Sequence, residues 1–276
     1  AELAGIDVEA LDPQERVNAQ VFEAQIRERL SDIEFRTYEM PFNSDTSFWS
    51  NLGFTARKPF SGLADAKRYL SWLSDIPRYF ADHIDNMRAG LARGFTLPRA
   101  VMAGPLSSLA EVMKPETIED NLFYGPFVKL PSAIDAETAN ELRARAAVLI
   151  AGVVMPAWNL LANFMHTVYL PATRETIAAR DLPDGDAYYR MCIRKYVTAD
   201  WSPDDIHARG YEEVAAIRAQ MQAAMAEVGF DGTLQEFFEF LRTDPRFYAN
   251  SEEELLMRAA WIMKRVDSVI TRYIGH

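Results

Sequence analysis

The sequence is poor in the residue patterns that most enzymes use for chemistry. Among 276 residues there is one cysteine, Cys192, so no internal disulfide can form. That count suits a reducing cytoplasm and equally a cysteine-poor periplasmic protein, so the compartment stays open. The four histidines are His83, His166, His207 and His276, and no two lie within one helical turn. A zinc-peptidase helix needs two imidazoles one turn apart with a carboxylate beside them, so that arrangement is excluded. There is no Gly-x-Ser-x-Gly elbow and no Gly-rich phosphate loop, and Gly90 and Gly94 read as helix-end glycines. Positive charge is also short: 29 Lys and Arg stand against 40 Asp and Glu, a formal net charge of −11. With no basic patch, the chain is expected to have no nucleic-acid partner. It opens without an initiator methionine or a basic-then-apolar leader and stops in or just past a helix, so both ends read as cut.

Apolar material is plentiful. At 49% apolar and 12% aromatic residues the chain has enough for a sizeable core. The run from Ala136 to Tyr169 dominates. Charged positions Glu137, Glu141, Arg143 and Arg145 crowd its front behind Asp135, a natural N-cap, and no charged residue follows between Ala146 and Thr173. A helix apolar all round is a membrane span or the buried axis of a large helical body. Pro156, Asn159, Asn163, His166 and Gly152 interrupt the run, so the expectation is a kinked, hidden core helix and no membrane span.

The remaining elements also read as helices. Pro13 opens an amphipathic helix to about Ser31, carrying Val17, Val21, Ala24 and Leu30. Met40 to Phe54 has no steady period and reads as a looped or extended excursion pinned by Phe42, Phe48, Trp49 and Phe54. Ser61 to Gly94 reads as a helical hairpin or bent pair with a restart near Pro77 and a stop at Gly94. Thr96 is a candidate cap with Pro98 in the first turn of the next helix, and Lys114 to Pro131 reads as loop with at most a short helix. The apolar helix is expected to end before Leu170-Pro171. Leu182 to Val197 is a turn and a helix, with a strand as the minority reading. Ser202-Pro203-Asp204-Asp205 starts a helix lasting to Gly229, while Thr233-x-x-Glu236 and Ser251-x-x-Glu254 are capping boxes opening two more. With no βα rhythm and no fixed-period repeat, the fold class is all-α: a large irregular helical body with at most minor short strands. The expected domain organisation is one helical domain over 1–276, an incomplete part of a larger single body.

Candidate chemistry is thin. His166 is the one deeply placed histidine, and a core histidine with a hydrogen-bond partner is a better account of it than a ligand. His207, near Asp204 and Glu212, reads as a surface residue. Cys192 lies among apolar neighbours that would raise its pKa and blunt it. The paired carboxylates Glu212-Glu213 and Glu252-Glu253-Glu254 sit in helix first turns or on exposed faces, where the helix dipole and solvation account for them. The least bland feature is the tyrosine cluster Tyr188, Tyr189, Tyr196 and Tyr211. Tyr188 and Tyr189 with Arg190 are the candidate substrate-binding group, able to orient a peptide carboxylate or an oxyanion; core packing is the plainer account of the same residues.

Seven segments resemble, in order, those of a known bacterial family: Ile84 to Arg99, Pro156 to Trp158, Tyr169 to Arg174, Leu182 to Tyr189, Thr198 to Val214, Gly229 to Leu234, and Leu241 to Tyr248. Each is weak alone, but the succession resembles the domain of unknown function 885 family across most of the chain. That resemblance implies kinship with the helical zinc metallopeptidases such as angiotensin-converting enzyme and thimet oligopeptidase, in single bodies of roughly twice this length around a deep cleft. The family's metal site is a His-Glu pair followed by Pro-Gly-His, with a Glu in a Glu-Gly-Trp segment further on. Neither occurs here, so no metal ligand carries over to any position of this chain. The resemblance therefore implies an amino-proximal, cleft-forming part of an uncharacterised zinc-dependent peptidase. Zinc and a peptide substrate would belong to the full-length parent, and this chain would be inactive and open to dimerisation through an exposed apolar face. The alternative is a non-catalytic helical scaffold or binding module.

Overall fold

The computed structural model describes residues 3–274 and is helical throughout, with no strand among them and only isolated bridges from Phe42 to Ser47 and from Pro98 to Arg174. The chain divides into two compact units, Ala1–Asp200 and Trp201–His276.

The first unit begins with α1, Pro13–Glu34, whose N-cap Asp12 accepts a hydrogen bond from the Glu15 amide at 2.9 Å. Its amphipathic pattern covers little: no α1 residue is fully buried, and Val17, Val21 and Leu30 are exposed. Helix α2, Phe48–Ala56, lies where the sequence suggests a loop. Ser47 and Ser50 cap each other's amides reciprocally, a box that is easily missed because serine stands where Glu or Gln is usual. Phe42, Phe48 and Trp49 are buried as anchors, while Phe54 points outward.

Helix α3, Leu63–Arg93, is one continuous element, not a bent pair. Ala66, Tyr69, Leu70, Leu73, Ile76, Phe80, Ile84, Met87 and Gly90 form one buried stripe that passes Pro77 without a change of register. Burial of large side chains on both sides of Pro77 outweighs a proline cost of about 3 kcal/mol. Gly94, at φ +78°, ends the helix in the left-handed conformation as expected. Thr96 does not cap the next element. Its hydroxyl accepts from the Arg174 amide at 3.2 Å, and the chain continues through a 3₁₀ turn, Arg99–Val101, into α4, Ala103–Glu111. A 3₁₀ turn at Leu122–Tyr124 and the short α5, Gly125–Val128, follow.

The long apolar element runs unbroken from Ala136 to Ala172, one turn past its expected end. It comprises α6, Ala136–Leu149, a π-turn at Ile150–Val154, α7, Met155–Phe164, a second π-turn at Met165–Tyr169, and a closing 3₁₀ turn at Leu170–Ala172. Each π-turn closes one residue before a proline. The Met155 amide donates to Ile150 O just before Pro156, and the Leu170 amide donates to Met165 O just before Pro171. Widening the turn there absorbs residues that can neither donate nor fit a regular α-turn. Asp135 caps the start through the Thr138 amide at 2.8 Å. By length and composition this helix could cross a membrane, but 44% of its most apolar window is buried inside the protein. Leu142, Ala146, Ile150, Val154, Trp158, Leu161, Met165 and Tyr169 join α2, α3 and the Phe123–Phe127 segment in a single core. Helix α8, Gly185–Val197, ends this unit and is tied to α1 by Lys195, whose ammonium sits 2.9 Å from Glu28 and 3.0 Å from Asp32.

In the second unit, α9, Pro203–Glu227, α10, Leu234–Thr243, and α11, Glu252–Ile270, start at Ser202, Thr233 and Ser251, the three hydroxyl caps read from the sequence. Phe230, Phe237, Phe240 and Phe247 pack against one another around α10, with centroids 5.1–5.4 Å apart in the contacting pairs. Beyond that cluster the unit buries little: among its described residues Met225 is the one buried apolar side chain, and no residue of α11 is buried.

Candidate functional site

The three candidate substrate contacts start on one turn of α8 but do not share a face. Tyr188 turns inward, edge-on to Phe35 at 5.8 Å and to Phe95 at 5.3 Å, and burial pushes its phenol well above the ordinary range. Tyr189 and Arg190 face outward. Consecutive helical positions diverge by about 100°, so Tyr188 is held as packing while the other two stand at the surface. Cys192 is half-buried one turn on, with its thiol pushed up by burial, as its apolar neighbours imply.

The histidines do not converge. His83 sits on α3, stacked on Phe48 with centroids 4.0 Å apart and edge-on to Tyr79 at 4.6 Å. Its buried Nδ1 has no hydrogen-bond partner, and burial lowers its pKa below the usual 6.5 despite the opposing charge of Asp82. His166 is exposed on the second π-turn, not held in the core. His207 lies edge-on to Tyr211 at 4.9 Å on α9 in the second unit, and His276 falls outside the described residues. Among the described residues no group of three or more His, Cys, Asp or Glu side chains is placed to hold a metal ion. The described residues do not fit a zinc site.

The long helix is not hidden all round. Its buried stripe faces the core, while Val148, Gly152, Pro156, Asn159, Leu160, Asn163, His166 and Thr167 form an exposed stripe along the opposite side. Val148 is 70% and Leu160 59% exposed. The stripe carries amides, a hydroxyl and an imidazole but no fixed charge. An apolar run reads as hidden when only one chain is in view; this one packs on one side and leaves the other free.

A cavity of about 420 Å³ opens beside this helix, between α2, α4 and α7. Trp49, Phe123 and Trp158 form its floor, and Arg57, Glu111 and Asp120 reach its rim. Both indoles spend their donors on the protein: Trp49 Nε1 donates to Ser108 Oγ at 3.1 Å and Trp158 Nε1 to Leu109 O at 2.9 Å. A smaller cavity of about 220 Å³, lined by Asn43 to Ser47 and Gly104, shares Ser50 and Ser108 with it. No sequence motif links Arg57 to these tryptophans. They meet only because α2 forms where the sequence shows no period.

The sequence matches, over residues 1–276, the family described as bacterial protein of unknown function, DUF885. The chain belongs to the DUF885 family. No curated protein matches it. Among solved structures, the DUF885 chain is similar to one described as "the putative lipoprotein from Colwellia psychrerythraea", with a TM-score of 0.88 at 22% identity. The match covers 98% of this chain and 49% of that one, so this DUF885 chain spans about half the length of the structure it matches. At that identity the likeness shows the all-α fold.

Proposed function

We propose that this chain forms one wall of a cleft in a helical body of about twice its length, and that the full-length protein is a zinc-dependent peptidase whose metal ligands lie in the other half. The observation that carries the reading is the exposed, charge-free stripe of the long helix. Asn159 and Asn163, one turn apart, offer amide donors and acceptors suited to an extended peptide backbone, and Val148, Leu160 and Pro156 offer apolar contact for its side chains. The match to half of a longer solved chain agrees with it. The two π-turns flanking α7 add support, because such turns collect where a helix is shaped for a ligand.

The helix then belongs to the protein and not to a bilayer, since its outer stripe carries Asn159, Asn163 and His166 at the depth where a span would need apolar side chains. No nucleic-acid partner is expected from the net charge of −11. The unburied apolar side of α11, with Leu255, Leu256, Trp261 and Ile262 at 55–69% exposure, is assigned to contact with the rest of the longer polypeptide; alone, the chain would pair with a second copy through it. Candidate contacts Tyr189 and Arg190 stay available at the surface of α8, with Tyr188 packed behind them.

Peptide hydrolysis by this chain and by a full-length family polypeptide tests the reading. The chain alone is expected to be inactive and the longer polypeptide active. Hydrolysis by the chain alone, or by neither, would sink it.

A further inference from the structure

Two helices of the second unit each leave an apolar seam in solvent, and the two seams match. On α11, Leu255, Ala259, Ile262, Val266 and Val269 recur at alternating intervals of four and three, and all but the half-buried Val269 are exposed. On α9, Val214, Ile217, Met221 and Ala224 keep a rhythm of three and four that Val228 continues just past the helix end, and all five are exposed. A seam of this period packs against a second helix, and the two seams, from 255 to 269 and from 214 to 228, are each about 21 Å long. Their borders carry opposite charge. Glu213, Gln220 and Glu227 stand immediately before seam residues of α9, while Arg258 and Arg265 stand in the same place on α11, with Arg272 one repeat further on. The ion pairs that Glu213 makes with Arg209 and Arg258 makes with Glu254 lie within single helices at the surface, where such pairs are worth little. Among the described residues Glu227, Arg265 and Arg272 make no ion pair, and Arg265 rests over the Trp261 ring at 4.7 Å.

We propose that α11 of one copy of this chain packs antiparallel on α9 of a second copy, and α9 of the first on α11 of the second, in a symmetric dimer. The borders set the direction. Antiparallel packing brings the border before one seam against the border before the other, so Glu227 meets Arg258, Gln220 meets Arg265 and Glu213 meets Arg272. Parallel packing would lay the same glutamates against Leu256, Met263 and Ile270, the apolar residues of the far border of α11. One chain owns both halves of the match, so two copies satisfy it twice and the contact closes. The inference rests on the part of the functional reading that leaves the α11 side uncovered in this chain, and on neither its metal nor its substrate.

Charge reversal read by sedimentation equilibrium of the purified chain is the test, with helical content followed by circular dichroism. Both positions chosen are exposed, so neither reversal disturbs a core. Glu227→Arg alone and Arg258→Glu alone should each weaken dimerisation at least about tenfold, because like charges then face one another at both contacts of the dimer. An equimolar mixture of the two variants should recover to within about threefold of wild type, since every altered residue then meets an opposite charge on the other chain. A contact within one chain cannot be rescued by mixing. A chain monomeric at every accessible concentration, dimerisation unchanged in Glu227→Arg, or a mixture no tighter than its components would each overturn the proposal. Zinc and hydrolysis enter none of these measurements, so its failure is distinct from failure of the peptidase reading.

Discussion

A methyl group on Gly90 would stand 2.6 Å from the carbonyl oxygen of Glu39 and 3.0 Å from that of Phe95. The last turn of α3 thus lies backbone to backbone against the segment after α1, an approach only glycine permits. Gly90→Ala is expected to destabilise the chain by roughly 2 kcal/mol, because both obstacles are backbone and neither can rotate away. Gly152 supplies the control, with nothing within 4 Å of its Cβ position. Gly152→Ala should leave stability unchanged or raise it by up to about 1 kcal/mol. Urea unfolding midpoints of the two variants check the contrast.

Glu39 is also the buried end of an ion pair. Its carboxylate is 2% exposed and meets Arg93, which donates a further bond to Phe35 O at 2.8 Å and lies 4.1 Å above the Phe95 ring. Arg36 approaches the same carboxylate at 3.6 Å from the solvent side. Glu39→Ala would leave Arg93 uncompensated in a half-buried place, at an expected cost of about 3 kcal/mol. Glu39→Ala and Arg93→Ala combined should cost less than the sum of the two, which a double-mutant cycle on unfolding free energy reads directly.

His83 sets an acid limit. Burial against Phe48 and Tyr79 holds its pKa below the ordinary 6.5, with Asp82 opposing only in part. Above that value both folded and unfolded chains carry the neutral ring, and the histidine contributes no pH dependence. As pH falls through 6.5 the unfolded chain takes up the proton first, so stability declines until the folded-state pKa is passed. His83→Phe is expected to remove that part of the decline. Comparing unfolding midpoints at about pH 8 and about pH 5, the gap between variant and wild type should move in the variant's favour on acidification.

The second unit predicts association. Trp261, Ile262 and Met263 on α11 are 55–65% exposed, and burying such side chains returns about 25 cal/mol per Å². The isolated chain should sediment as a concentration-dependent mixture of monomer and larger species. Trp261→Glu should shift it to monomer, while Tyr196→Glu, at an exposed aromatic of α8, should not.

Capping chemistry made much of this fold legible. Asp12, Asp135, Ser202, Thr233 and Ser251 each start a helix where the sequence places one, because a capping side chain acts within four residues and needs no tertiary partner. The misses share the opposite cause. Helix α2 depends on a Ser47/Ser50 box and on burial of Trp49 beside Ser108, 59 positions away, and α3 passes Pro77 because its stripe packs on distant elements. The long helix misled in another way: composition shows that a run is apolar, not which side of it is covered, and His166 fell on the uncovered side. The tyrosines of α8 were visible as a cluster, but their divergence became apparent only from the helix itself. The cavity at Arg57 was not visible at all, since its walls come from three separate stretches of chain.

Zinc content bears most directly on whether the reactive machinery lies outside this chain. Purified under identical metal-supplemented conditions and analysed by elemental mass spectrometry, the 276-residue chain should retain no stoichiometric zinc, while a full-length DUF885 polypeptide should retain close to one ion per molecule. One tightly held zinc on the shorter chain, or none on the longer, would contradict the account.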